Sequence, residues 1–100
     1  MLHRGRFSDV IRRQLDLVEQ ENAKLIVACK SALQAYDTAG REEAGEHYER
    51  FGDLQEELMD ALEKVRDGFA TTLLDESAAE RYEAEFDRAA ANRFHGIWVA

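Results

Sequence analysis

Eight carboxylates recur along residues 42–67 at steps of three and four: Glu42, Glu46, Glu49, Asp53, Glu56, Asp60, Glu63 and Asp67. On an α-helix this spacing collects them on one face, since side chains three and four apart are neighbours there. A row of carboxylates has two chemistries open to it: holding a divalent cation or docking a positively charged surface. One helix face gives a cation a loose seat rather than the enclosing oxygen cage that calcium or magnesium takes, so no metal site is expected. The simplest reading is a solvated outer face. The functional reading is a docking surface for a basic protein partner, including the Arg12/Arg13 end of a second copy of the chain.

The other reactive residue types lack the company that chemistry needs. A di-iron bundle requires inward Glu-x-x-His motifs, but Ala44 stands three residues before His47. His3 and His95 lie near the two ends, and one cysteine with three scattered histidines does not make a zinc set. Cys29 falls on an apolar helical stripe, where a thiol behaves as a small hydrophobe rather than a nucleophile. No Ser–His–Asp set, phosphate loop or dinucleotide fingerprint is present. The reading is therefore non-enzymatic, with no catalytic residue, cofactor or metal expected. Arg4, Arg6, Arg12 and Arg13 could hold an anion near a helix N-terminus. The chain carries 21 acidic against 13 basic residues, a net charge of −8, which counts against nucleic-acid binding.

The elements that would position these residues are legible from period. An apolar row (Ala44, Tyr48, Phe51, Leu58, Leu62, Val65, Phe69) runs beside the acidic row, so residues 41–73 read as one long two-faced helix. Before it, Ile11, Leu15, Val18, Asn22, Leu25, Cys29, Ala32 and Tyr36 step by four and three, predicting a first helix over 8–38 capped by Ser8 and closed by a left-handed Gly40. Gly45 and Gly52, seven apart, allow either a mild helix weakness or close approach by another backbone. Ser77 and Glu80 form a capping-box pattern opening a third helix over 77–94. The closing stretch 94–100 is apolar and is expected to dock through Phe94, Ile97 and Trp98, either on its own helices or on a partner.

These elements predict an all-α single domain over 1–100: a long antiparallel helical hairpin plus a shorter third helix. Such a hairpin leaves wide apolar faces, with Leu17, Ile26, Leu33, Leu54, Met59 and Leu73 flanking the seams. Pairing two hairpins into a dimeric four-helix bundle would bury that width, so a homodimer is expected. Folding back near Ala39 sets Asn22 opposite the region of Gln55, a polar layer that would penalise shifted registers.

No apolar run approaches the roughly 20 residues that cross a bilayer. The start of the chain lacks the apolar segment of a secretory signal, and a single cysteine fits a reducing compartment, so a cytoplasmic location is expected. In length and helix number the chain resembles the all-helical chorismate mutases, with Arg12 or Arg13, Lys30 and Arg41-Glu42 as the matching residues. The resemblance covers helix count more than motifs. Where that family carries a further arginine within helix 1, this chain has Leu17-Val18-Glu19-Gln20-Glu21, which would set carboxylates against a dicarboxylate substrate. Secreted helical hairpins with Trp-x-Gly at the turn are similar in length, but Trp98 is the sole tryptophan here. The leading expectation is thus an interaction or structural module that self-associates and binds a protein through its surface. The alternative is a small-ligand-binding protein or chorismate-mutase-like enzyme with a pocket between helices.

Overall fold

The computed structural model describes residues 5–99, so His3, Arg4 and Ala100 from the stretches read above lie outside the described residues. The chain is all-helical. It forms α1 (Ser8–Glu21), α2 (Ala23–Thr38), α3 (Ala44–Ala70) and α4 (Glu76–Arg93), with no strand among the described residues. A chain without proline and rich in Ala, Leu, Glu and Arg has little to oppose helix formation locally.

The expected continuous helix over 8–38 is instead two helices, broken at Asn22. That residue takes φ −124° and ψ 28°, outside the helical region. Its backbone N–H donates to the Val18 carbonyl at 2.9 Å, and its side-chain Nδ2 donates to the same carbonyl at 3.0 Å. A short amide side chain competes with the helix for its own acceptors, which bends the ladder without abolishing it. The ladder resumes at once, because Ile26 N–H donates to the Asn22 carbonyl at 2.9 Å. Past the bend Ile26 is buried in place of Leu25, and the seam then returns to the expected Cys29 and Ala32.

The helix ends also differ from expectation. Ser8 does not cap α1: Phe7 holds the N-cap position without a side-chain bond, and Glu85 of α4 accepts the Phe7 N–H at 3.1 Å through Oε1. A carboxylate brought from another helix thus sits at the positive end of α1. α4 is capped by Asp75, whose Oδ1 accepts the Ser77 N–H at 3.1 Å, so the Ser77/Glu80 box is not used. α2 closes through an extended Ala39 rather than a left-handed Gly40. α3 is shorter than 41–73 at both ends; residues 41–43 form a turn, and the Thr71 and Thr72 hydroxyls bond the Gly68 and Phe69 carbonyls at 2.8 and 2.7 Å. Among the described residues nothing lies within 4 Å of a Cβ built at Gly45 or Gly52, so no backbone of the same chain approaches either closely.

α3 is the central rod, touched by the three other helices, and its contact with α2 is the most extensive. α4 lies against α1 and α3 through Tyr82, Phe86 and Ala90. The tail then returns across the bundle. Gly96, the one left-handed residue among those described (φ 83°), redirects the chain after Phe94, and a Cβ there would sit 3.1 Å from Leu33 Cδ2. The molecule measures 50 × 31 × 23 Å, an elongated shape whose core lies away from the α2–α3 turn.

Candidate functional site

Two surfaces stand out once the core is placed. The first is the end of the molecule carrying the α2–α3 turn. The last buried residue of α2 is Ala32 and the first of α3 is Phe51; nothing between 33 and 50 is buried. Two helical ends there form a stem with no core of its own. Tyr36 and Tyr48, 37% and 60% exposed, face each other with ring centroids 5.5 Å apart at 56°. Exposed aromatic pairs of this kind are the side chains most used as anchors at protein interfaces. Glu42, Glu46, Glu49, Asp53, Glu56 and Asp60 are all exposed, running from the stem along α3. Glu46, Glu49 and Asp53 line a shallow depression with His47, Arg50 and the half-buried Leu54.

The second surface is an open groove between α1 and α4, about 570 Å³, lined by Gly5, Ser8, Ile11, Arg12, Leu15, Glu85, Arg88, Ala89, Asn92 and Arg93. Its acid, Glu85, is engaged by the Phe7 N–H, and Arg93 is held by Asp16 at 2.6 Å and Glu19 at 3.7 Å. Arg12 makes a long 3.9 Å pair with Asp9, and both side chains are well exposed. Arg88 is exposed and forms no ion pair among the described residues. The groove is therefore cationic on a molecule that is acidic overall.

The residues expected to form a polar layer are used separately. Gln55 Nε2 donates to the Ile97 carbonyl at 2.7 Å and ties down the tail, whereas the Asn22 amide is spent on the local bend. Phe94, Ile97 and Trp98 are 1%, 1% and 4% exposed, so these three belong to the chain's own core rather than to a free surface. Trp98 meets Phe86 edge-on at 6.3 Å and lies under the Arg66 guanidinium at 5.8 Å.

Groups with altered acidity serve packing. Burial, with the charge of Glu57 as a smaller contribution, pushes the Cys29 thiol up, which leaves it a poorer nucleophile at neutral pH. Burial also pushes the Tyr82 phenol up to about 12 from 10.0, against the opposing hydrogen bond with Gln14 at 2.8 Å. A raised folded-state value means that the folded chain holds this proton more tightly than the unfolded chain does. The contribution of Tyr82 to stability is therefore complete below pH 10 and lost as pH rises through about 12. Alkaline unfolding is expected to track tyrosinate absorbance in that window and to move to higher pH in Tyr82→Phe. An unchanged midpoint in the variant would remove Tyr82 as the sensitive group.

No protein-family model matches this chain, and no curated protein or solved structure matches it significantly. Function must come from the surfaces themselves. Among the described residues no three or more of His, Cys, Asp and Glu converge as a metal set, and no helix is long and apolar enough to cross a membrane. Of the charged residues matched to the mutase pattern, Arg12 lines the α1–α4 groove, whereas Arg13, Lys30 and Glu42 are exposed outside it.

Sequence reasoning missed the groove, although Glu85, Arg88 and Asn92 at steps of three and four did mark a polar face of α4. It also missed the tyrosine pair, because Tyr36 and Tyr48 fall on apolar seams in the sequence pattern.

Proposed function

We propose that the chain is a non-enzymatic helical module that self-associates and binds a protein partner through its surface, in a reducing, cytoplasmic setting. The observation that carries this reading is the stem: 18 consecutive residues, 33–50, with none buried, across two helices that end in an exposed tyrosine pair. Helices of this length draw most of their stability from packing an apolar face, so α2 and the start of α3, read as an antiparallel hairpin, are fit to be covered by another chain. The acidic row beside them favours a basic covering surface.

Light scattering at tens of micromolar is the direct test. A homodimer gives about twice the 11.4 kDa chain mass, and a mass of one chain at every concentration defeats self-association. Tyr48→Asp is expected to weaken association by about tenfold or more, the scale of a lost interface anchor. Its helical circular dichroism should stay unchanged, because Tyr48 is exposed. Full association in that variant would remove the tyrosine pair from the interface.

The alternative, a small-ligand-binding protein or chorismate-mutase-like enzyme, is supported by Arg12 in a groove between helices. It is opposed by the scatter of Arg13, Lys30 and Glu42, which share no cavity with it.

A further inference from the structure

We infer that the α1–α4 groove of one copy receives the acidic stem of a second copy, in a two-fold, antiparallel pairing that uses the same two patches twice. The inference rests on the self-association proposed above and names its surfaces. A side-by-side pairing of two stems would bring together Glu42, Glu46, Glu49 and Asp53 from both copies, on chains that each carry a net −8. Like charges set face to face across an interface oppose association, whereas complementary ones steer it and fix its register.

The same molecule carries the complement. Arg88 forms no ion pair among the described residues and Arg12 holds only a long, exposed 3.9 Å pair with Asp9, whereas Arg93 is engaged closely by Asp16 and Glu19. The groove is floored by Ile11, Leu15 and Ala89, and the depression on α3 offers Leu54 beneath its carboxylates. Each patch thus combines an apolar base with a rim of opposite net charge, three carboxylates outnumbering Arg50 on the stem and three arginines outnumbering Glu85 in the groove. Arg12 lies in α1, before the Asn22 bend, whereas Glu49 and Asp53 lie on α3 beside the Tyr36–Tyr48 contact at the far end of α2. On a body 50 Å long the patches lie toward opposite ends, so antiparallel alignment lets both contacts form at once. A two-fold arrangement closes on itself, and no filament follows. Net repulsion between the acidic chains is screened beyond about 8 Å in physiological salt, whereas the paired charges act at shorter range.

A charge swap tests this on the full chain. One variant carries Arg12→Glu with Arg88→Glu; the other carries Glu49→Lys with Asp53→Lys. Each alone sets like charges at both contacts, and its dimer is expected to weaken by about tenfold or more relative to wild type. An equimolar mixture makes both contacts complementary again and should restore a dimer of one chain of each kind, read by sedimentation with one variant labelled. Should a reversed variant lose its helical spectrum, the wild-type dimer still reports through salt. Raising NaCl to about 0.5 M should dissociate a charge-complementary dimer and leave an apolar stem-to-stem dimer intact.

Variants that dimerise as well as wild type, a mixture that stays monomeric, or a salt-indifferent wild-type dimer would each overturn the groove-to-stem pairing while leaving self-association standing. A wild-type chain that is monomeric throughout would instead remove the underlying reading.

Discussion

Trp98→Ala is expected to destabilise the fold by about 3–5 kcal/mol, the range for emptying a large aromatic site in a core. Against a total of roughly 5–15 kcal/mol for a domain, this is a loss of about a fifth or more of the stability. The size follows from what the ring touches. It is 4% exposed, packs edge-on against Phe86 and lies under Arg66. Its neighbour Ile97 is bonded by Gln55, so loosening the ring also loosens that anchor. Urea unfolding should show a lower midpoint with little change in slope. Trp98→Phe is the informative control. The indole Nε1 is buried without a hydrogen-bond partner among the described residues, so phenylalanine keeps an aromatic contact and removes an unsatisfied donor. Its loss should stay below about 1.5 kcal/mol. An alanine variant within about 1 kcal/mol of wild type would show that the tail does not complete the core in solution.

Arg66→Ala should have the next largest effect, about 1.5–3 kcal/mol, the range for hydrogen bonds to charged groups. Its Nε donates to Asp67 Oδ1 at 2.9 Å and its Nη1 to Asp87 Oδ1 at 3.0 Å, with the arginine side chain only 21% exposed. The hydrogen bond to Asp67, with that to Asp87, raises the guanidinium's affinity for its proton despite burial. Most of the loss belongs to Asp87. Its carboxylate is the less exposed of the two and sits on the other helix, so the pair ties α3 to α4. Arg66→Lys should recover only part, because an ammonium lacks the planar fork that reaches both carboxylates. A double-mutant cycle with Asp87→Asn should give a coupling of about 0.5–3 kcal/mol. Simple additivity would mean that the pair is incidental to holding α4.

The contrast between Asn22 and Gln55 shows where pattern reading stops. Both occupy polar steps on apolar seams, and register arithmetic alone sets them opposite each other. In the structure Asn22 turns to its own helix and Gln55 turns to the tail. A short amide has an acceptor four residues back always within reach, whereas a longer one reaches whatever the fold brings near. The Ser77 box fails for a related reason. Asp75, two residues earlier, offers an ionised acceptor to the same first turn, and a charged cap is the stronger bond.

Helical class, the first apolar seam at Ile11, Leu15, Val18, Cys29 and Ala32, and the exposed acidic row were all fixed by local sequence. They depend on a period of three to four residues and on charge, which any window of the chain reveals. Only the tertiary structure decided the bend at Asn22, the capping of α1 by Glu85, the docking of Trp98 on the chain's own helices and the cationic groove. Each of these joins residues that are distant in sequence, or weighs a local bond against a distant one. Such a choice is made by the packed molecule as a whole, because no short window of the sequence contains both partners.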